Sequence, residues 1–319
     1  MHALKIAFRR VFVAALFSML AVSLGMAQGT PAASHYTFTT FTVPGAVRLF
    51  VQSINSAGTV SGWFTDASGD SESFLRTADG TITTYVDPNN TGTPYNTAAY
   101  QINRSGIAAG GFFDTVRGAY SGFFYETSSG TFKTYNPKGT SVTIRGLNDK
   151  GNFCGIAYTS PLNITWNSFT NFGGTINYFS VNGSTQSFCA YLNDPGAAVG
   201  IYTSAGVAHG WLGNSTGPTS YIDYPGAASV LGNGPCGGLG AGTYALGINN
   251  HGAIVGHYFD SSYNQHGFTL DTSGNYHELN VPGAYQSSAA GINGQGVIVG
   301  NYNDSSCNSI GYIATPAVP

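Results

Sequence analysis

The chain has few charged residues and no long helical pattern. Asp, Glu, Lys and Arg make up 8% of its 319 residues, against about 25% in an average soluble protein. The formal net charge of −3 does not favour a nucleic-acid partner, which would require a basic face. No sustained helical periodicity follows Ala27, and Gly, Ser, Thr, Asn and Tyr are abundant. This composition favours short β-strands joined by tight turns, while 13% aromatic residues argue against disorder.

Familiar catalytic motifs are also missing. The sequence contains no His-Glu-x-x-His motif and no Cys-x-x-Cys motif, so it offers no signature of a zinc site. Its three glutamates, Glu72, Glu126 and Glu278, have no obvious pairing, and glycoside hydrolysis normally needs two carboxylates. Because acids distant in sequence can converge in a fold, a carbohydrate-active hydrolase or lyase stays an alternative.

The N-terminus predicts an export signal. Lys5, Arg9 and Arg10 precede an apolar run from 11 to 26 and a small-residue cleavage site before Gln28. We therefore expect residues 1–27 to be a signal peptide, whose removal changes the formal charge from −3 to −6. An uncleaved anchor is the alternative, but the run is short for a span of about 20 residues. A secreted, extracellular or periplasmic protein without a membrane span is expected.

A repeated motif dominates the rest of the chain. Six times, Ile or Leu is followed by Asn, two residues, Gly, three residues and a second Gly, and successive Asn residues lie 48, 45, 45, 56 and 44 positions apart. A period of this length indicates a stacked or radial array of one supersecondary unit. The repeated asparagines are Asn55, Asn103, Asn148, Asn193, Asn249 and Asn293.

Each unit is interpreted as four strands. The Asn-x-x-Gly segment is a hairpin turn between the first and second strands, since Asn bonds neighbouring backbone and Gly tolerates positive φ. A third strand is expected to begin at a small residue followed by an aromatic, as at Ser73-Phe74, and a fourth is rich in Thr. Six such units predict an all-β, six-bladed β-propeller of four-stranded antiparallel blades.

The two ends of the repeat region complement each other. A lone fourth-type strand is predicted at 36–43, and the last unit stops after a third-type strand at 309–315. We expect the N-terminal strand to complete the last blade, giving 24 blade strands and no unpaired edge. An open solenoid is the alternative. The expected domain is a single propeller at 36–315, with a linker at 28–35 and a tail at 316–319.

The strand order also predicts two different faces. With the first strand innermost, the loops between blades and those between second and third strands lie on one face. The Asn-x-x-Gly turns lie on the other.

The best-preserved unit resembles a known family. It runs Gly-Ile-Asn-Asn-x-Gly-x-Ile-Val-Gly-x-Tyr-x-Asp from Gly247 to Asp260, followed by His-Gly-Phe at 266–268 and Val-Pro-Gly-Ala at 281–284. It is similar to secreted bacterial proteins with HAF repeats, over essentially 36–315. The resemblance implies a repeat architecture and an extracellular or envelope location, and it supplies no catalytic residues.

Acids and aromatics recur just after the second Gly. On the predicted loop-rich face they could contact a sugar or a cation, but an Asp two residues past a strand aromatic is also an ordinary turn residue. Calcium is a possible cofactor at 260–264 and 304–306, although dense acid spacing is missing. The candidate ligand-binding residues are Asp66, Asp114, Tyr258, Asp260, Tyr302 and Asp304.

Histidines and cysteines raise three further possibilities. His257 and His266 fall on neighbouring strands and could share a metal, but a zinc site needs more ligands, so none is predicted. Cys236, in a Gly-rich insertion at 229–244, and Cys307 share the predicted loop-rich face in adjacent blades, and we expect them to form a disulfide. For Cys154 and Cys189, free thiols and a bond between blades both stay open.

Taken together, these features favour a binding or interaction module over an enzyme, with an extracellular glycan or protein as partner. A carbohydrate-active enzyme with acids at the central channel is the alternative, and a structural surface protein is a third. The insertion at 229–244 is the candidate for the functional face, since insertions in repeat proteins map to one face, and a tolerated, solvent-exposed excursion is the alternative.

Overall fold

The protein is an all-β six-bladed propeller, as predicted. The computed structural model describes residues 35–91, 96–159 and 165–317, and the predicted signal peptide 1–27, most of the linker and residues 318–319 lie outside these ranges. Six four-stranded antiparallel sheets form the blades, and they stand in a ring around a central axis. No helix within the described ranges has the length and apolarity that a membrane crossing needs.

The strands are numbered in chain order, and each blade takes four of them. The first blade contains β2 Arg48–Ile54, β3 Val60–Thr65, β4 Ser71–Arg76 and β5 Ile82–Tyr85; the second contains β6 Thr97–Ile102, β7 Ile107–Asp114, β8 Ala119–Glu126 and β9 Thr131–Tyr135; the third contains β10 Val142–Leu147, β11 Phe153–Tyr158, β12 Trp166–Phe172 and β13 Thr175–Phe179. The fourth contains β14 Ser187–Leu192, β15 Ala198–Ser204, β16 Val207–Asn214 and β17 Gly217–Ile222; the fifth contains β20 Thr243–Ile248, β21 Ile254–Phe259, β22 Gln265–Leu270 and β23 Tyr276–Glu278; the sixth contains β24 Gln286–Ile292, β25 Ile298–Asn303, β26 Ser309–Pro316 and β1 Tyr36–Phe41. A 3₁₀ turn, Pro137–Gly139, precedes the third blade.

The N-terminal strand closes the ring, which confirms that prediction. Strand β1 pairs antiparallel with β26, from Tyr36 opposite Pro316 to Phe41 opposite Gly311. It ends two residues earlier than expected, and β26 ends one residue later. The outer strand of the sixth blade comes from the other end of the chain. With it, the sixth blade has the same four-stranded arrangement as the other five.

The first glycine of each motif serves the hairpin turn. In the first blade the amide of Gly58 donates to the carbonyl of Asn55 at 3.1 Å, and Gly58 has φ of +80°. All six equivalent glycines have φ between +77° and +101°, a region that glycine enters without the steric cost of a Cβ.

The second glycine has a different role. It lies directly opposite a fully buried aromatic of the third strand, as in the pair Gly62 and Phe74. A Cβ on Gly62 would stand 2.2 Å from the carbonyl oxygen of Phe50 and 2.7 Å from the ring of Phe74. The six pairs are Gly62 with Phe74, Gly110 with Phe123, Gly155 with Phe169, Gly200 with Trp211, Gly256 with Phe268 and Gly300 with Tyr312.

This pairing corrects the predicted start of the third strand. The small residue and aromatic that were expected to begin the strand lie inside it, since β4 begins at Ser71, two residues before Ser73-Phe74. The aromatic must lie opposite the second glycine, which is itself inside β3, so the strand extends on both sides of the pair. Each fully buried aromatic contributes on the order of 2–3 kcal/mol through burial alone. The apolar core therefore consists of similar layers packed between consecutive blades.

A short hairpin in the fourth-to-fifth crossing was not predicted. Strands β18 Gly232–Asn233 and β19 Leu239–Gly240 pair within the insertion at 229–244. The insertion thus has secondary structure of its own, additional to the 24 blade strands.

Candidate functional site

The six repeated asparagines form a closed ring around the axis. Each Asn donates from Nδ2 to the main-chain carbonyl of the next repeated Asn, and the last donates to the first. The six N···O distances lie between 2.9 and 3.4 Å, in the order Asn55, Asn103, Asn148, Asn193, Asn249, Asn293 and back to Asn55.

The same side chains also hold their own turns. In the third blade the Oδ1 of Asn148 accepts from the amides of Lys150 at 3.1 Å and Asn152 at 2.9 Å. Every repeated Asn is buried, with between 4% and 7% of its surface exposed. One residue therefore shapes a hairpin and links two blades, so we assign the ring to architecture.

The axial cavity beside this ring contains two carboxylates, Asp149 and Asp194. The cavity measures about 150 Å³ and opens among the Asn-x-x-Gly turns. Asp149 accepts from the amide of Arg104 at 2.6 Å, and Asp194 accepts from the amide of Asp149 at 2.8 Å. Asp194 also accepts from the Nδ2 of Asn250 at 2.8 Å. Both acids are thus engaged in bonds between blades, and Glu72, Glu126 and Glu278 are not among the described residues that line the axial cavities.

The predicted acidic residues lie on the opposite, loop-rich face, where each one closes its own loop. Asp66 accepts from the amides of Ser68 and Asp70, and Asp304 from those of Ser306 and Asn308. Asp114 and Asp260 bond to the two amides of their loops in the same way. Hydrogen bonds, first of all from the Asn308 side chain, hold the pKa of Asp304 below its usual range. The turn role is thus present at all four acids, and ligand contact stays a prediction.

The two predicted tyrosines lie within the blade packing. Tyr258 stacks on Tyr224 with ring centroids 3.7 Å apart and donates to Glu278 at 3.2 Å. Burial raises its pKa. Tyr302 is only 8% exposed and belongs to the core of the sixth blade. Contact of either ring face with a ligand stays a prediction.

His257 and His266 have separate environments. His257 pairs with Gly267 while His266 pairs with Tyr258, so the two side chains project from opposite faces of the sheet. His257 is buried, contacts Ser288 Oγ at 2.9 Å, and has its pKa lowered to about 3 by burial. His266 lies 3.1 Å from Asp260 and 3.3 Å from Glu278. Across residues 35–91, 96–159 and 165–317, no group of three or more His, Cys, Asp or Glu is arranged to hold a metal.

Exposed apolar side chains concentrate on the loop-rich face. Of the eight large apolar side chains that are exposed in the described residues, six belong to connecting segments of this face, including the insertion hairpin, and two, Tyr178 and Tyr221, to outer strands. The Asn-x-x-Gly turns of the other face contribute none of the eight. The six are Val47, Val116, Val230, Leu231, Leu239 and Tyr285.

Two features of this face stand out. A recess of about 360 Å³ between the first two blades is lined by Asn89, Asp114, Val116 and Thr134, among others. The second feature is the insertion hairpin β18–β19, which carries Leu239 and is preceded by Val230 and Leu231.

A disulfide fixes the hairpin to the sixth blade. Cys236 and Cys307 are bonded, which is the predicted pair. The hairpin also packs closely on the fifth blade, because a Cβ on Gly232 would stand 2.2 Å from the ring of Tyr263. The insertion is therefore held by two neighbouring blades.

Comparison with known proteins supports the fold and leaves the activity open. No protein-family model and no curated protein matches the chain. Among solved structures, a single-site variant of Aleuria aurantia lectin in complex with a fucosyl-GlcNAc disaccharide is similar, with 13% identity, 88% of this chain and 99% of that chain covered, and a TM-score of 0.52. AofleA from Arthrobotrys oligospora shares 12% identity over 89% of this chain and 84% of its own, with a TM-score of 0.50. A protein described as a candidate gluconolactonase shares 12% identity over 89% and 94%, with a TM-score of 0.53.

The second disulfide lies in the core. Cys154 in β11 and Cys189 in β14 are bonded, which joins the third and fourth blades. Both residues are fully buried. This resolves the open question about these two cysteines, and the described part of the chain contains no free cysteine. Two disulfides are compatible with an extracellular or periplasmic protein.

The Cys236–Cys307 bond gives a direct prediction. Replacing both cysteines by serine should release the hairpin while the blades stay folded, because the blade strands keep their hydrogen bonds. If the bond contributes about 2–4 kcal/mol of restraint, proteolysis at 229–242 should accelerate by roughly tenfold or more. Limited chymotrypsin digestion with mass spectrometry measures this. The double serine variant at Cys154 and Cys189 is the control, and equal acceleration there would contradict a local role for the first bond.

Proposed function

We propose that the protein is an extracellular binding module that contacts a glycan through its loop-rich face. The observation that carries this proposal is the concentration of exposed apolar side chains on that face and not on the other. Exposed apolar groups that are concentrated on one face and have polar neighbours are a feature of binding surfaces. A hairpin that is fixed by a disulfide adds a preorganised contact region, which lowers the entropy lost on binding.

The chemistry of this face suits a largely uncharged ligand. The recess between the first two blades presents amide, hydroxyl and carboxylate groups beside Val116, which is 90% exposed. Sugars offer both hydroxyls and apolar C–H surface, so such a mixture can satisfy both. The volume of about 360 Å³ falls in the range of small-ligand sites. The lectin with the same fold, which was solved with a fucosylated sugar, shows that a propeller of this type can hold such a ligand.

We also propose that the chain is exported and that it is related to HAF-repeat proteins. The apolar N-terminal run and the repeat motif of the fifth unit support both. A carbohydrate-active enzyme is less supported, because the carboxylates of the axial cavity, Asp149 and Asp194, are already bonded to neighbouring blades.

Glycan retention tests the proposal. The secreted chain should bind a subset of sugars on a glycan array and release them unshortened. Retention of the same sugars should weaken by about tenfold or more when Val116 is replaced by serine. The same is expected when Val230 and Leu239 are both replaced by serine, because apolar contacts at an interface are lost.

The control is Tyr178→Ser on outer strand β13, which removes an exposed apolar side chain outside the loop-rich face. Equal loss in the control and the loop variants would contradict the assigned face. Shortened sugars that disappear in an Asp149→Asn, Asp194→Asn variant would favour the enzyme.

A further inference from the structure

The inner strands carry a second set of equivalent positions, which do not repeat in sequence. Each inner strand has a β-bulge three residues before its repeated Asn. The six bulge residues are Gln52, Tyr100, Arg145, Ala190, Leu246 and Ala290. All six line one small cavity, so the bulges bring these positions together at the axis.

Arg145 is the only charged residue among these six, and its guanidinium is held between two rings. The carbon Cζ lies 4.0 Å from the ring centroid of Tyr100 in the second blade and 4.9 Å from that of Phe188 in the fourth. Cation–π contacts of this kind stabilise a partly desolvated cation to some extent. They leave the N–H donors of the guanidinium edge unused.

Those donors have no protein acceptor within the described ranges. The Nε atom of Arg145 is buried without a hydrogen-bond partner, and the guanidinium forms neither a hydrogen bond nor an ion pair with another described residue. An arginine stays charged at every pH that a folded protein tolerates. Arg145 as a whole is partly buried, and a charge that is partly withdrawn from water without a counter-charge is costly, so this cation favours an anionic partner.

The cavity beside Arg145 limits what that partner is. Its volume is about 20 Å³, which is room for roughly one water-sized particle. Its polar side chains are Arg145, Gln52, Tyr100 and Tyr191, its other side chains are apolar, and no carboxylate lines it. A sugar acid or a sulfate group is too large for this space, whereas a halide ion fits.

We propose that the central channel contains a binding site for one chloride-sized monovalent anion, coordinated by the Arg145 guanidinium between the second, third and fourth blades. The anion neutralises the partly buried cation and so stabilises the closed ring of blades. The site is independent of the glycan-binding surface on the loop-rich face.

A chloride titration of thermal stability tests this proposal. Chloride is raised at constant ionic strength with sodium gluconate, whose anion is too large for the cavity. The melting temperature of the wild-type chain should rise by roughly 2–4 °C for each tenfold rise in chloride above the dissociation constant. Arg145→Met, which keeps a similar chain length without charge, should show no such rise.

The matched control is Arg48→Met, because Arg48 also lies on an inner strand but is exposed. It should keep the full chloride dependence. An equal chloride dependence in Arg145→Met, or none in the wild type, overturns the proposal.

A second measurement does not depend on the folding of any variant. Wild-type crystals soaked in bromide should show an anomalous peak beside the Arg145 guanidinium. A peak elsewhere only, or a water molecule at this position under the same soak, overturns the proposal. Since neither experiment involves a glycan, its failure would not affect the proposed binding function.

Discussion

Replacing Gly200 by alanine is expected to prevent stable folding of the fourth blade. The added Cβ would stand 2.1 Å from the carbonyl oxygen of Phe188 and 2.5 Å from the ring of Trp211. Trp211 is fully buried, and the Phe188 oxygen belongs to the main chain of inner strand β14, so neither can move aside at low cost. Overpacking of this severity should destabilise the protein by about 4 kcal/mol or more.

The loss is measurable as reduced soluble yield, a lower melting temperature and a weaker near-UV circular dichroism signal from Trp211. Gly294→Ala is the matched control, because a Cβ there has no atom within 4 Å and the backbone does not have positive φ. We expect this variant to melt near the wild-type temperature. If the two alanine variants were equally stable, the second glycine would not be required by the aromatic opposite it.

The second large effect is expected at Asn148. Alanine at this position removes the bond to the carbonyl of Asn193 at 3.0 Å and the two bonds that hold its own turn. One buried and two partly buried hydrogen bonds are then lost, so we expect a destabilisation of about 2–4 kcal/mol in urea unfolding. Asn214→Ala is the control, since Asn214 caps an exposed turn outside the ring, and it should cost about 0.5–1 kcal/mol.

An aspartate at position 148 separates the two roles of this side chain. Its carboxylate can still accept from the amides of the turn, but when ionised it cannot donate to the carbonyl of Asn193. Burial beside that carbonyl should raise its pKa in the folded state. The proton needed for the bond is then present at low pH and lost as pH rises through the folded pKa. Relative to wild type, Asn148→Asp should therefore recover stability on acidification, and a constant deficit would mean that the turn alone matters.

Much of the architecture could be predicted because it repeats. Six copies of one motif gave the number of blades, the complementary ends gave the closing strand, and the position of Cys236 and Cys307 on one face gave their disulfide. These inferences needed only the local rules for turns and strands, applied six times. The predicted candidate acids were found in the turns for the same reason, since a residue that recurs with the scaffold usually serves the scaffold.

The features that the sequence did not predict depend on contacts between positions that are far apart in the sequence. The sequence assigned Asn148 to its hairpin, but its bond to Asn193 exists only when two blades meet at the axis. Arg145 could not be assigned at all, because its position carries Gln, Tyr, Ala or Leu in the other units. The available signal was this irregularity itself, three residues before an otherwise constant Asn. Only the β-bulge places that irregular residue in the channel.

The six bonds of the asparagine circle all run in the same direction, from each blade to the one that follows it, and the last bond returns to the first blade. A linear array of repeats can unravel from either terminal unit, because that unit has a neighbour on one side only. Here every unit has two, so detaching any one of them breaks an incoming and an outgoing bond. We therefore expect hydrogen exchange at the six hairpins to show similar protection, without gradual fraying from either end of the chain.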